Sequence, residues 1–66
     1  RPMPTSLVGK NLVDSNVRQK TGCSVIALRS EGHLIVGPDP LIPLRADEQL
    51  ILIGTTEAEQ MFLDLF

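Results

Sequence analysis

A chain of 66 residues has room for one domain, residues 1–66, and its single cysteine (Cys23) and single histidine (His33) exclude both a disulfide and a four-ligand zinc cluster. A chain this short buries only ~60% of the surface its unfolded form exposes, so support from a second copy or a larger protein is expected. A net charge of −2, interspersed signs and just two aromatic residues, Phe62 and Phe66, argue against a nucleic-acid partner.

The hydrophobic content of 42% is high for so small a chain and fits an apolar face that a partner covers. No apolar run, Leu50–Ile53 included, approaches the ~20 residues of a membrane span. No stretch of the sequence reads as a signal peptide, and none is expected. The chain opens on Arg1, which leads us to expect a fragment of a longer protein.

In chain order, Pro2 and Pro4 rule out regular helix over Arg1–Ser6. Asn11 to Arg18 is a short helix candidate with Leu12, Val13 and Val17 as a modest apolar stripe. Lys20 and Gly22 mark its C-terminal side. Cys23 to Leu28 reads as a strand, with Cys23, Val25 and Ala27 on one side and Ser24, Ile26 and Leu28 on the other. Apolar groups on both sides predict a strand covered on both faces.

Ser30-Glu31-Gly32 is turn material, so His33 to Val36 returns as the second arm of a hairpin. Pro38, Pro40 and Pro43 favour an extended, ordered loop. Arg45-Ala46-Asp47-Glu48 reads as a turn, and Gln49 to Ile53 as a strand buried on both faces. Thr56 followed by Glu59 fits a capping box. Ala58, Met61, Phe62 and Leu65 then fall on one face of a terminal helix, with Leu63 and Phe66 off that stripe and free to touch a second subunit or domain.

This order of elements predicts a small two-layer α+β domain. It has a mostly antiparallel sheet, a short N-terminal helix and a C-terminal helix. No nucleophile stands beside a base, so an enzyme is not expected. Asp47-Glu48 is the densest carboxylate pair, but neighbours on an extended chain point apart and turns favour them anyway. His33 reads as an ordinary strand residue and Cys23 as a small buried hydrophobe. Arg18 has two readings: a guanidinium that clamps an anion, or a solvated side chain in the last turn of a helix. The Pro38-Asp39-Pro40 loop either shapes a ligand edge or shields a sheet edge.

The series Leu7-Val8-Gly9-Lys10-Asn11-Leu12, Val17-Arg18…Thr21-Gly22-Cys23-Ser24-Val25-Ile26-Ala27-Leu28, Gly32…Pro38 and Leu44…Asp47-Glu48…Leu50-Ile51-Leu52-Ile53-Gly54-Thr55 resembles the TrkA-C domain. This is the C-terminal subdomain of RCK (regulator of potassium conductance) proteins. The likeness covers nearly the whole chain, lacking only the family's first strand, of which Arg1–Pro4 would be the tail. It implies a dimeric module at the cytoplasmic side of a membrane-embedded potassium channel or transporter, often following a nucleotide-binding RCK domain.

Some family members bind cyclic di-AMP in the cleft between two such subunits. Matched to this sequence, the cleft positions would be Val17, Arg18, Ser24, Val25 and Pro38. Arg18 would meet phosphate, Ser24 a base edge, and the others would pack on the purines. The resemblance thus implies no fixed cofactor but a small anionic ligand such as cyclic di-AMP.

Two departures stand out. Ser24 replaces the asparagine amide usual among cyclic di-AMP binders, and a hydroxyl does not offer adenine the amide's paired donor and acceptor. Ala46 stands where the family commonly has glycine, which matters if that turn needs a positive φ. Two functions follow as expectations: a ligand-sensing dimeric regulator of ion transport, or a purely structural dimerisation module without a ligand.

Overall fold

The computed structural model describes residues 1–66 throughout. A 3-10 turn (Thr5–Leu7) leads into helices α1 (Leu12–Ser15) and α2 (Val17–Thr21). Strands β1 (Ser24–Ser30) and β2 (His33–Val36), a long loop, strand β3 (Gln49–Ile53) and helix α3 (Thr56–Leu65) follow. The strands form one antiparallel sheet in the order β2-β1-β3. Helices lie against one side of it, giving the expected two-layer α+β arrangement.

The hairpin closes over Glu31 and Gly32, whose φ values of 51° and 78° are both positive, as a two-residue turn matched to strand twist requires. Along the β1–β3 ladder, Ser24 faces Ile53 and Val25 faces Leu52. After a bulge at Ile26, Ala27 faces Ile51 and Leu28 faces Leu50. The bulge absorbs one residue and reverses the side-chain phase. Cys23, Val25 and Leu28 therefore share the helix side, and the simple alternation expected for β1 does not hold.

That shift decides the core. Leu7, Val17, Cys23, Leu28, Leu44, Leu50, Ala58 and Phe62 form one buried cluster, with Val25, Leu52 and Phe66 packed against it. The expectation that β1 and β3 are buried on both faces fails. Leu28 and Leu50 are buried on the helix side and Ala27 on the other, but Ile26, Ile53, Leu34, Ile35 and Val36 remain exposed.

The first helix is two short ones. Asn11 caps α1, accepting the Asp14 N–H at 2.7 Å. Asn16 then turns left-handed (φ 53°) and breaks the predicted Asn11–Arg18 helix, a conformation asparagine tolerates better than most residues. α2 continues to Thr21 and stops at Gly22 (φ 86°), whose N–H reaches the Arg18 carbonyl.

The cap of α3 is Thr55, not Thr56: its hydroxyl accepts the Ala58 N–H at 3.1 Å. The buried stripe runs Ala58, Phe62, Phe66, with the two rings 5.3 Å apart. Met61 and Leu65, expected in the core, are exposed. The rotation follows from close packing at the start of α3, where Gly22 leaves room for Ala58, and a Cβ on Gly54 would come within 3.0 Å of Cys23 Sγ.

Pro2 pairs with Gln49, and Arg1 and Leu50 exchange two backbone hydrogen bonds of 2.7 and 2.9 Å. The Arg1 guanidinium meets Glu59 on α3. Arg1–Pro2 is thus strand-like, as expected of a strand tail. The Arg45–Glu48 turn closes through the Glu48 N–H to the Arg45 carbonyl. Ala46 has no positive φ there, so the absent glycine costs the turn nothing.

Candidate functional site

Three local devices converge beside the N-terminal end of β1. Thr21, buried, donates from Oγ1 to the Val17 carbonyl at 2.7 Å and accepts the Cys23 N–H at 3.0 Å. This fixes α2 against the start of β1. The Gly37 N–H reaches the Ile26 carbonyl at 3.0 Å, holding the chain beside β1 one residue past β2 and delivering Pro38 there. The Val13 N–H reaches the Pro40 carbonyl at 3.2 Å and pins the proline loop onto α1. Asp39 stiffens that loop by accepting the Leu41 N–H on Oδ1.

The result is an open hollow of about 280 Å³ lined by Leu12, Val17, Arg18, Ser24, Val25, Pro38 and Pro40. All five residues matched to the cleft from sequence, Val17, Arg18, Ser24, Val25 and Pro38, line it. Leu12 and Pro40 join them. Leu12 had been assigned only to a helix stripe, and Pro40 only to a loop of undecided purpose, because neither reading contained the Val13–Pro40 bond that folds them together.

Electrostatically the hollow is an apolar cup with one cation at its rim. The chain's two ion pairs are Arg1–Glu59 and Arg45–Asp47, so the exposed Arg18 guanidinium has no carboxylate partner. Arg18 is the second residue of the short α2, directly after Val17 of the hollow's wall. Ser24 is half-buried. A fork of donors above aliphatic and proline surface suits an anion attached to a flat apolar body.

A larger groove of about 490 Å³ lies along β3, lined by Arg1, Cys23, Leu50–Gly54 and Glu59. Its floor is the free edge of the strand to which Arg1 already pairs, and the Arg1–Glu59 ion pair lies within it. No group of three or more His, Cys, Asp or Glu side chains is placed to hold a metal ion. His33 is exposed on β2, paired with Ser30, and Cys23 is buried as expected.

The family model of the TrkA-C domain matches residues 2–66. The chain belongs to the TrkA-C family. It is 33% identical over 48 residues to the Ktr system potassium uptake protein A of Bacillus subtilis, covering 73% of this chain and 22% of that protein. The GsuK channel superposes with a TM-score of 0.87 at 35% identity, over 97% of this chain and 12% of that one. The RCK_C domain dimer of S. agalactiae BusR in complex with c-di-AMP superposes at 0.79 with 22% identity, over 96% of this chain and 78% of that one. At that identity the last likeness concerns the fold alone. This TrkA-C domain spans about a fifth of the curated relative and an eighth of the channel chain. No helix in it is long and apolar enough to cross a membrane.

Proposed function

We propose that this TrkA-C domain is a non-enzymatic regulatory module of a potassium channel or cation transporter. It pairs with a second copy at the cytoplasmic side of its membrane partner and senses a small anionic ligand of the cyclic di-AMP class. The observation that carries this reading is the convergence of Arg18, with no carboxylate partner, on an apolar hollow with Val17, Ser24, Val25 and Pro38.

The ligand's symmetry makes the case for two copies. A cyclic dinucleotide has two phosphates and two bases, whereas one hollow offers one guanidinium. At about 280 Å³ it falls below the ~300–1,000 Å³ typical of small-molecule sites. Two hollows facing each other double both the cation and the volume. Each Arg18 then forks onto one phosphate, each Ser24 meets a base edge, and Val17, Val25 and Pro38 pack on the purines. The ligand regulates by binding one geometry of the pair better than another, biasing the membrane partner by that difference. The potassium link draws on the relatives' own roles, as does an upstream nucleotide-binding RCK domain in the parent protein.

Calorimetric titration with cyclic di-AMP tests this. Saturation at one ligand per two chains is expected, with Arg18→Ala lowering affinity at least 10-fold, the order of a lost charge-assisted hydrogen bond. Unchanged affinity in Arg18→Ala removes the clamp. The absence of heat at high ligand concentration favours the second reading, a structural dimerisation module, for which Ser24 in place of an amide is the specific observation.

A further inference from the structure

We propose that the hollow recognises a cyclic dinucleotide by its phosphate and ring face and takes adenine and guanine forms alike, because Ser24 does not choose between them. This deepens the ligand-sensing reading of the preceding section and rests on it. Among the seven lining residues only Arg18 and Ser24 carry polar side chains. Arg18 only donates, so it answers to an anion and not to the mixed pattern of a base edge. The remaining side chains are leucine, valine and proline, and apolar packing on a ring face does not tell one purine from another.

The base edge is therefore left to Ser24. Telling adenine from guanine takes two groups at once. Adenine presents an N6 donor beside the N7 acceptor, where guanine presents two acceptors, O6 and N7. A side-chain amide matches the adenine pair and would set its carbonyl against the guanine O6. A hydroxyl is a single group that donates or accepts as it rotates, so it serves an N6 amine and an O6 carbonyl equally. In Ser24 that rotation is unhindered by a prior bond. Of the four serines, Ser6, Ser15 and Ser30 tie their hydroxyls to the Phe66 carbonyl, the Asn11 carbonyl and the Asp47 carboxylate, whereas Ser24 makes no side-chain hydrogen bond.

The proline loop adds no second reader. Pro38 and Pro40 have no N–H to offer. Backbone groups around them are already engaged: the Gly37 N–H with the Ile26 carbonyl, the Pro40 carbonyl with the Val13 N–H, and the Leu41 N–H with Asp39. The loop thus supplies shape and ring contact without a donor–acceptor pair.

The test is calorimetric titration with cyclic di-AMP and cyclic di-GMP, on the wild-type chain and on Ser24→Asn, with thermal melting to check that the variant folds. Wild type is expected to bind the two ligands within about 5-fold of each other. Ser24→Asn is expected to shift that ratio toward the adenine ligand by about 10-fold or more, the order set by a bidentate amide–adenine pair. A larger wild-type preference for either ligand overturns the proposal and leaves the ligand-sensing reading standing. So does a folded Ser24→Asn chain that binds both with the wild-type ratio, since the base then lies beyond this residue's reach. The wild-type ratio decides alone if the variant does not fold. A wild-type chain that binds neither ligand overturns the ligand-sensing reading and this proposal with it.

Discussion

The two faces of the sheet are built from the same kinds of residue and have opposite fates. On the helix side, Leu28 and Leu50 are sealed beneath Val17, Ala58 and Phe62. On the other, Val36, Ile53 and Leu34 stand in the open. Aliphatic composition therefore does not by itself say what is core; the helices of one copy suffice for one face only. A domain of this size has about one layer's worth of cover to give.

The largest expected effect that sharpens this contrast is Phe62→Ala. It empties the centre of the sealed side and should cost about 3–5 kcal/mol in urea unfolding. Leu34→Ser, measured under monomeric conditions, should stay within about 0.5 kcal/mol. Equal costs would break the comparison, because the open face would then carry intramolecular packing.

Next in size is Gly22→Ala. The left-handed φ of 86° and a Cβ only 3.3 Å from Ala58 predict a loss of about 1–2 kcal/mol in thermal unfolding. Thr55→Ala should remove the α3 cap for about 1 kcal/mol, and Thr56→Ala much less, which the same scans would separate. Smallest is a gain: Glu31→Asn eases the left-handed hairpin position (φ 51°) by on the order of 0.5 kcal/mol, read as a higher midpoint.

Much of this was legible in the residues. The hairpin arm His33–Val36 and the strand Gln49–Ile53 were readable to the residue, because β-branched runs bounded by turn residues have little else to become. The strand bulge was not readable. Nothing in Val25-Ile26-Ala27 marks which residue is extra, since the shift arises from pairing β1 with β3. The break at Asn16 carried a weak local signal, an asparagine, but one that helices also accommodate. The α3 stripe was misplaced toward Met61 and Leu65 because periodicity fixes a helix's apolar arc without saying which edge meets the sheet. The five matched cleft residues came from likeness to the TrkA-C series. Leu12 and Pro40 came only from the fold, through one long-range backbone bond.

The doubly bonded hydroxyl of Thr21 has a mechanical consequence. It ties the end of α2 to Cys23, the residue just before the central strand, three positions from Arg18. On the ligand-sensing reading proposed above, a pull on the guanidinium passes through this hydroxyl to the chain entering β1, the central strand of the sheet. Thr21→Val would keep the bulk and cut the tie. On the same reading, a Thr21→Val domain is expected to bind cyclic di-AMP as wild type does, yet to show a smaller ligand-induced change in hydrogen exchange along β1.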